Sequence, residues 1–328
     1  MNRRDVLILG GAASAAALTG FPAVAQTRYP ARPIRLVVPF SAGGVNDIVG
    51  RQWAEKVRTR LGSVYVENQG GAGGTIGVVE VGRSEPDGHT VLLGSTSTMV
   101  LNTMTMQKPP YDPNRDFVPV CVMCVSATSI AVNAALPVKN LKDLIAYGKN
   151  NPGKLSYGSA GTGTMSHLSG ELFKQLTGMA DMVHIPYKGA GPGLADLVSG
   201  HIQVMSPNVT GQVLDLHATG KIRILAVNNA TRLSAAPEIP TAIEEGVADM
   251  IGLLFLGIFA PAATPKPVVN QIAQATQEAM ADKDFKDALE KSGFEPVNDM
   301  GPEKSLVYLA EEQKRWAPVL ASLGMKVN

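Results

Sequence analysis

The sequence predicts an α/β fold of two domains, and two observations support this prediction. The chain has 328 residues, more than one hydrophobic core usually organises. Short β-branched runs alternate along it with segments of helical periodicity, as in β-α units with parallel strands. The net charge of +1 and the 5% aromatic content exclude a nucleic-acid binder, which needs a basic surface and stacking side chains.

The first 25 residues predict a cleavable secretory signal. Arg3 and Arg4 precede the uncharged run 6–18, and the small-x-small triplet 23–25 follows it. The run is too short to span a bilayer, which takes about 20 helical residues. Paired arginines occur in both Sec and twin-arginine signals, so both export routes stay open. We expect a mature periplasmic protein that starts at Gln26 and is not inserted in the membrane.

The first β-α units occupy the start of the mature chain. Strands are predicted at 34–40, 64–66 and 90–93, glycine-bearing loops at 41–44 and 69–74, and helices at 48–61 and from Thr75. We expect a parallel sheet with crossover helices from this order.

A second series follows the uncharged segment 117–138, which predicts buried strands. Its strands are predicted at 155–158, 183–186, 202–205 and 222–227, with helices opening near Asn140, Thr164, Pro192 and Gly211. A last strand at 253–260 and three amphipathic helices at 267–281, 283–292 and 302–322 are expected to pack back on the first domain.

Motifs along the whole mature chain point to one family. They are, in order, Pro39-Phe40 with Gly43-Gly44 and Asp47; Val66-Glu67-Asn68 with Gly71-Ala72-Gly73-Gly74; Pro86-Asp87-Gly88-His89-Thr90; Tyr111-Asp112-Pro113; Tyr157-Gly158-Ser159 with Gly161-Thr162-Gly163 and His167; Pro186-Tyr187-Lys188-Gly189; and Phe259-Ala260-Pro261. This order resembles the substrate-binding proteins of tripartite tricarboxylate transporters, also called Bug receptors. The resemblance implies an α/β fold of the periplasmic binding protein type II-like kind, with a ligand cleft between domain 1 (26–125 and 251–328) and domain 2 (126–250).

The first glycine loop is a candidate anion site. Glycines let backbone amides approach a carboxylate closely, and a helix N-terminus beside them carries partial positive charge. Asn46 or Asp47 is expected to cap the helix; alternatively, Asp47 accepts a hydrogen bond from a ligand hydroxyl, ammonium or bridging water. The candidate residues here are Phe40, Ser41, Ala42, Gly43, Gly44, Asn46 and Asp47. Ser41 and Ala42 stand where the family is expected to have prolines, which puts the shape of the loop in question.

The second glycine loop is predicted to face the first across the cleft. It would offer backbone amides and hydroxyls to a second carboxylate. Its candidate residues are Ser159, Ala160, Gly161, Thr162, Gly163, Thr164 and, on the helix that follows, His167. Helix capping by Ser and Thr and a structural role for His167 are the alternatives. Tyr187, in the family motif after a strand, is expected to wall the pocket, while Lys188 is as well explained by an exposed surface position. Weaker candidates at strand ends are Ser95, Ser97 and Asn208.

Sulfur-containing residues allow two interpretations each. Met99, Met104 and Met106 pack in a core or lid, or they contact an apolar ligand body. Cys121 and Cys124 form C-x-x-C, usually a redox or metal motif, but they lie in a strand-like segment. Residues three apart on a strand are about 10 Å apart, beyond disulfide reach, so buried free thiols are expected.

The sequence favours a receptor over an enzyme. It lacks G-x-S-x-G, H-E-x-x-H and P-loop motifs, and its histidines show no metal-ligand spacing. No metal, cofactor or catalytic residue is predicted. We expect a monomer that captures an organic acid by amides and hydroxyls without an arginine clamp, with weak salt dependence, and that delivers it to membrane transporter subunits. A ligand sensor for a membrane signalling partner and, less favoured, a hydrolase built on Ser159 and His167 are the alternatives. Carboxylates of several classes, acidic amino acids and neutral amides all stay possible as ligands.

Overall fold

The computed structural model describes residues 29–325, in which two β-sheets are covered by helices. The strands are β1 (Ile34–Val38), β2 (Val64–Asn68), β3 (Thr90–Ser95), β4 (Phe117–Ala127), β5 (Ser129–Asn133), β6 (Ser156–Ser159), β7 (Val183–Pro186), β8 (Val204–Met205), β9 (Ile222–Val227), β10 (Leu253–Pro261) and β11 (Glu295–Pro296). The helices are α1 (Val45–Lys56), α2 (Arg58–Leu61), α3 (Thr75–Gly82), α4 (Asn102–Thr105), α5 (Pro113–Asp116), α6 (Leu141–Asn150), α7 (Met165–Thr177), α8 (Ala190–Ser199), α9 (Gly211–Ala218), α10 (Lys266–Ala281), α11 (Lys283–Lys291) and α12 (Pro302–Ser322). The predicted signal at 1–25 lies outside the described residues.

The first sheet is mixed rather than parallel. Its order is β11-β4-β10-β3-β1-β2, and β1 pairs in parallel with β2 and β3. However, β10 is antiparallel to both β3 and β4, so the prediction of a parallel sheet is wrong for this part. The reason is the path of the chain: β4 leads out of the sheet and β10 leads back in, and the two lie side by side in opposite directions.

The second sheet has the order β7-β6-β8-β5-β9, and both of its faces are covered by apolar cores. On one face α6 and α7 bury Leu141, Leu144 and Phe173. On the other, α8 and α9 bury Leu197 and Val213. The strand predicted at 202–205 is shorter than expected, and α8 begins two residues before Pro192.

The carboxyl-terminal helices pack on the first sheet, as the sequence predicted. Both α10 and α12 contact β4. Trp53 of α1 is completely buried, and its indole N–H donates a 3.0 Å hydrogen bond to the hydroxyl of Thr276 on α10. A buried indole needs such an acceptor, because an unpaired N–H would lose its hydrogen bond to water. The terminal helices therefore complete the core of the first sheet.

The chain passes between the sheets twice, and the two passages are hydrogen-bonded to each other. Both sheets belong to one compact unit that begins at Arg32. Thr128 alone separates β4 from β5, and its N–H donates to the carbonyl of Gly252, which immediately precedes β10 (2.8 Å). Asn228, just after β9, accepts from the N–H of Gly252 (2.9 Å) and donates to the carbonyl of Thr128 (2.8 Å). The assignment of the two sheets to two separate domains stays a prediction.

The two cysteines are buried free thiols on β4, as expected. A bulge in the pairing with β10 skips Met123 and interrupts the regular alternation of side chains between them. Burial raises the pKa of the Cys121 thiol to about 12, and it raises the pKa of Cys124 further. Both thiols are therefore protonated and unreactive at neutral pH.

Within residues 29–325, no helix is long and apolar enough to cross a membrane.

Candidate ligand-binding site

A cavity of about 470 Å³ lies between the two sheets. One wall comes from the first sheet: the turn after β2 with Ala72 and Gly73, and the segment after β3 with Thr105 and Met106. The other wall comes from the second sheet, through the loop between β6 and α7 and the turn that follows β7. Loops at the carboxyl ends of strands in α/β sheets are the usual place for ligands.

The two walls touch each other beside the cavity. The hydroxyl of Ser41, in the first glycine loop, donates to the carbonyl of Lys188 on the opposite wall (3.2 Å). The N–H of Met165, at the start of α7, donates to the hydroxyl of Ser97 on the first wall (3.0 Å). The structure is therefore a closed arrangement of the cleft, held by hydrogen bonds between its walls.

Close packing of glycine against backbone permits this closure. Gly73 has φ +65°, and a Cβ there would lie 2.6 Å from the carbonyl oxygen of Thr162 on the other wall. Real Cβ atoms do not approach oxygen so closely, so a side chain at Gly73 would push the walls apart. The glycine is needed both for its backbone conformation and for the space it leaves.

The first glycine loop is held by its own contacts. Helix α1 begins at Val45 with Gly44 as N-cap, so the expectation that Asn46 or Asp47 occupies the capping position is wrong. Asp47 instead reaches back from the first turn and accepts from the N–H of Gly43 (3.0 Å), from Arg51 and from Asn68. Asn46 is buried and donates to the carbonyl of Leu93 (3.4 Å).

The surroundings of Asp47 fix its charge. Burial alone would raise the pKa of its carboxyl, but the hydrogen bonds from Arg51, Gly43 and Asn68 outweigh burial and hold the pKa below its usual value. Because these partners occupy the carboxylate, this structure supports the structural role of Asp47 rather than a contact with a ligand. Phe40 is also buried: a Cβ on Gly74 would lie 3.0 Å from its ring.

Four backbone amides of the second glycine loop already have acceptors within the protein. Ala160 donates to the hydroxyl of Ser166 (2.8 Å), Gly161 to the hydroxyl of Ser159 (3.1 Å), and Gly163 to Nδ1 of His167 (3.2 Å). Thr164 N–H donates to the carbonyl of Gly161 (3.3 Å). The expectation that these four amides are open to a carboxylate is wrong for this closed arrangement, since three side chains and one carbonyl of the same loop and helix satisfy them first.

Two histidines stack behind this loop, and the sequence did not predict their pairing. His167 of α7 and His184 of β7 lie with ring centroids 4.1 Å apart, and Tyr157 of β6 stacks on the far side of His184 at 4.8 Å. Nε2 of His184 is 2.6 Å from the hydroxyl of Ser159. His184 lies far from the loop in sequence, so only the parallel pairing of β6 and β7, which places His184 opposite Tyr157, brings it to this position.

An ion pair lies at the edge of the histidine stack. The hydroxyl of Tyr157 donates to Glu171 of α7 (2.5 Å), and Lys174 pairs with the same carboxylate (3.0 Å). Burial would raise the pKa of Glu171, but the bonds from Tyr157 and Lys174 outweigh it and the pKa lies below its usual value. Burial lowers the pKa of both histidines, that of His184 to about 4, and His167 contributes to the shift at His184. Both rings are therefore neutral at pH 7.

The remaining candidates divide between the cavity and its surroundings. The predicted residues that line the cavity are Gly161, Thr162, Gly163, His167 and Tyr187. Tyr187 donates its hydroxyl to Asp196 (2.6 Å). Ser95 is completely buried, and its N–H donates to the hydroxyl of Thr98. Asn208 lies beside the first passage between the sheets and donates to the carbonyl of Ser126 (3.2 Å).

Several cavity residues were not among the sequence candidates. They are Ala72, Gly73, Thr105, Pro186 and Met325. Met106 and Lys188, for which the sequence analysis left two interpretations open, also line the cavity. The glycine motif 71–74 was a signal for the first two, because it belongs to the family pattern, yet it was interpreted only as a loop. Met325 could not be found from the sequence, since it follows the last helix and reaches the cavity only through the packing of α12.

The methionines separate into core and cavity positions. Met99 is completely buried, as the core interpretation predicted. Met106 lines the cavity, where the apolar-ligand interpretation would place it. Met104 lies in a different pocket, with Tyr111 and Asp112.

The cavity offers one cation and no carboxylate. Among the described residues that line it, Lys188 carries the one formal charge, and the others are glycines, apolar side chains, hydroxyls and the neutral His167. The part of the chain that the structure describes contains no cluster of three metal-ligating side chains. Such a cavity suits an anion with an apolar body held by hydroxyls, an imidazole N–H and one ammonium group.

Two sheets that face each other across a closed cleft, joined by two hydrogen-bonded passages, define the class of solute-binding receptors. Comparisons with known proteins agree. The family model described as "Tripartite tricarboxylate transporter family receptor" (TctC) matches residues 49–325. Protein BugT of Bordetella pertussis (strain Tohama I) is 33% identical over 330 residues, which cover 100% of both chains.

Solved structures of similar proteins share the fold. The periplasmic binding protein BugD is 33% identical, with a TM-score of 0.86 over 91% of this chain and 99% of that one. The R. palustris protein Rpa4515, whose structure contains adipate, is 31% identical, with a TM-score of 0.87 over 91% and 99%. This chain belongs to the TctC family of Bug-type periplasmic solute-binding proteins, which are receptors and not enzymes.

Proposed function

We propose that this protein captures a small organic carboxylate in the cavity between its two sheets and delivers it to a tripartite tricarboxylate-type membrane transporter. The observation that carries the proposal is the cavity itself, which is shared by both walls and has one cation and no anion in its lining. An anion there would gain a favourable charge interaction from Lys188 and meet no repulsion. Adipate in the similar protein Rpa4515 supports the same ligand class.

Capture would proceed by closure of two domains, 26–125 with 251–328 against 126–250. The motion needs a hinge, and the hydrogen-bonded passages at Thr128, Asn228 and Gly252 lie where the chain changes sheet. Ligand binding would favour the closed form because only in that form does the ligand contact both walls of the cavity. The closed surface would then be recognised by the transporter subunits. A signalling receptor that presents the same surface to a membrane sensor is the alternative.

Residues 1–25 would direct export and be removed, which leaves a monomeric receptor in the periplasm. Their composition supports this part of the proposal: a basic start, an uncharged run and a small-x-small cleavage triplet. The intact mass of the protein purified from periplasm should correspond to a chain that starts at Gln26, with or without cyclisation of that glutamine. A start at Met1 would contradict cleavage.

The test is a thermal-shift screen of residues 26–328, freed of co-purified ligand, followed by calorimetric titration. The panel contains aliphatic and aromatic mono- and dicarboxylates, acidic amino acids and neutral amides. Saturation at about 100 times Kd adds roughly 2.7 kcal/mol of stability, which is readily seen. We expect shifts only with carboxylates. A response to neutral amides alone would contradict the proposal.

Lys188 offers a matched test within the same screen. Lys188→Gln should weaken carboxylate binding ~3–10-fold because a charge-assisted contact is lost, while Lys221→Gln, an exposed lysine before β9, should leave the affinity unchanged. Equal affinities of wild type and Lys188→Gln for the carboxylate would show that the Lys188 ammonium group does not contact the ligand.

A further inference from the structure

His184 is not part of the cavity lining, yet its ring nitrogen lies 2.6 Å from the hydroxyl of Ser159, the residue at which β6 ends and the second glycine loop begins. Ser159 is completely buried, and its oxygen accepts the N–H of Gly161 (3.1 Å). The hydroxyl hydrogen then needs an acceptor, and unprotonated Nε2 of His184 provides one. This assignment leaves no polar atom of the Ser159 side chain without a partner.

His167 holds the same loop from the other side. Its Nδ1 accepts the N–H of Gly163 (3.2 Å), so this nitrogen carries no hydrogen. The two imidazoles are stacked at 4.1 Å with an interplanar angle of 27°. Two adjacent rings therefore orient two amides of the loop. His167 accepts the Gly163 N–H directly, and His184 holds the Ser159 hydroxyl that accepts the Gly161 N–H.

We propose that His184 is a positioning residue for the ligand-binding loop 159–164, that it acts through the hydroxyl of Ser159, and that it does so only while its ring is neutral. The inference rests on the proposed function, because it concerns the loop that lines the same cavity.

Protonation would reverse the role of the ring. A protonated Nε2 donates, so the Ser159 hydroxyl would have to turn and give up its hydrogen bond to the ring. A charge on His184 would also face His167 at stacking distance. The other groups that act on the two rings are Glu171 and Lys174 of α7, which pair with each other, and Tyr157 of β6, which donates to Glu171. Burial and His167 lower the pKa of His184 to about 4, which leaves the ring neutral through the physiological range.

A measurement without any mutation tests the assignment of hydrogens. In protein labelled with ¹⁵N-histidine, the nitrogen shifts at pH 7 should show His184 protonated at Nδ1 and unprotonated at Nε2, and His167 the opposite. Proton attachment to Nε2 of His184 at pH 7 would overturn the proposal, and this result does not depend on any ligand.

Mutation tests the effect on the loop. His184→Phe keeps a stacking ring but removes the acceptor, and we expect the amide of Gly161 to exchange its hydrogen ~3–10-fold faster than in wild type at the same pH. Ser159→Ala removes this hydrogen bond together with the acceptor of the Gly161 N–H, so it gives the exchange rate for complete loss of the contact. The ¹⁵N measurement keeps the proposal testable should the Phe variant fail to fold. His201→Phe is the control, because that ring is 74% exposed. Unchanged exchange in His184→Phe, with faster exchange in Ser159→Ala, would contradict the role of His184.

The affinity for adipate, used as the probe, gives the functional readout. His184→Phe should raise Kd ~3–10-fold at pH 7. The ratio of variant to wild-type Kd should begin to decrease towards 1 as the pH falls to 4, where about half of the wild-type rings are protonated, since protonation reverses the direction of the bond to Ser159 in wild type. The ratio cancels the titration of adipate itself. In a Ser159→Ala background, His184→Phe should cost less than 2-fold. A ratio that is constant from pH 7 to 4, or full additivity with Ser159→Ala, would overturn the proposal. If adipate binds neither protein, the proposed ligand class is in question, but the ¹⁵N and exchange results still decide the role of His184.

Discussion

At the residue scale, the charged and polar groups around the cleft serve mainly to hold loops in place. Asp47 was a candidate for ligand contact from its position after a glycine turn. In the structure it is nearly buried and accepts hydrogen bonds from a backbone amide and two side chains. Such a carboxylate stabilises the entry to α1, because it accepts the Gly43 N–H of the turn that leads into the helix.

Asp47→Asn should lower the free energy of unfolding by about 1–3 kcal/mol at pH 7, because it replaces a charged acceptor with a neutral amide. The loss should shrink at acid pH. The folded-state pKa of Asp47 is depressed, so its contribution is present above the unfolded pKa of about 3.9 and disappears as the pH falls through the lower folded value.

Urea unfolding followed by circular dichroism from pH 7 to pH 3 measures this effect. Asp181→Asn in an exposed turn is the control and should change stability by less than about 0.5 kcal/mol. A destabilisation by Asp47→Asn that is the same at pH 3 as at pH 7 would show that the charge of Asp47 is not what holds the turn.

At the element scale, the turns after the strands decide whether the cleft can close. The turn at 71–74 after β2 carries four consecutive residues with positive φ, Gly73 among them, and contacts the loop between β6 and α7. The sequence showed the glycines as loop formers. Their second role is to leave room for the opposite wall, and it depends on where the fold places Thr162, which is far from them in the sequence.

Gly73→Ala should weaken adipate binding by at least ~10-fold, because its Cβ would lie 2.6 Å from the carbonyl oxygen of Thr162 and hold the walls apart. Gly178→Ala is a matched control: Gly178 has nearly the same backbone conformation as Gly73, φ 70° and ψ 22° against 65° and 22°, but the added carbon would meet only the Lys149 side chain, at 4.0 Å. Both variants should lose about 1–2 kcal/mol of stability from the positive φ, measured by thermal unfolding.

Only Gly73→Ala should also lose affinity, measured by calorimetry. Equal affinity losses in the two variants would attribute the effect to backbone strain rather than to closure.

At the scale of the whole molecule, the two passages between the sheets form one joint. Thr128, Asn228 and Gly252 exchange three backbone hydrogen bonds, and the side chain of Asn228 also donates to the hydroxyl of Thr128 (2.8 Å). Ser169 of α7 contacts the same hydroxyl (2.9 Å). The joint therefore links both passages to the helix that begins at the cavity.

Gly252→Ala should disrupt this joint, since its Cβ would lie 2.3 Å from the hydroxyl oxygen of Thr128 and 2.5 Å from that of Ser169. We expect a loss of about 1–3 kcal/mol in the free energy of unfolding, and a smaller decrease in the radius of gyration when adipate is added than in wild type, measured by small-angle X-ray scattering.

Gly211→Ala is the control, because its Cβ would meet no atom closer than 3.8 Å. A Gly252→Ala protein with wild-type stability and the wild-type change in radius would show that the joint tolerates the extra carbon.

The sequence by itself determined the fold class, the order of most strands and helices, the family and the two glycine loops, because these depend on local periodicity and on motifs of neighbouring residues. It did not determine the mixed first sheet, which follows from how β4 and β10 lead the chain out and back. Nor did it determine that the amides of the second loop are satisfied internally, that His184 stacks on His167, or that Gly73 meets Thr162. The acceptors of the loop amides are close in sequence, but the periodicity does not give the turn and rotamers that direct them. His167 and His184 are brought together by the pairing of β6 with β7, whereas Gly73 and Thr162 meet only through the packing of the two sheets.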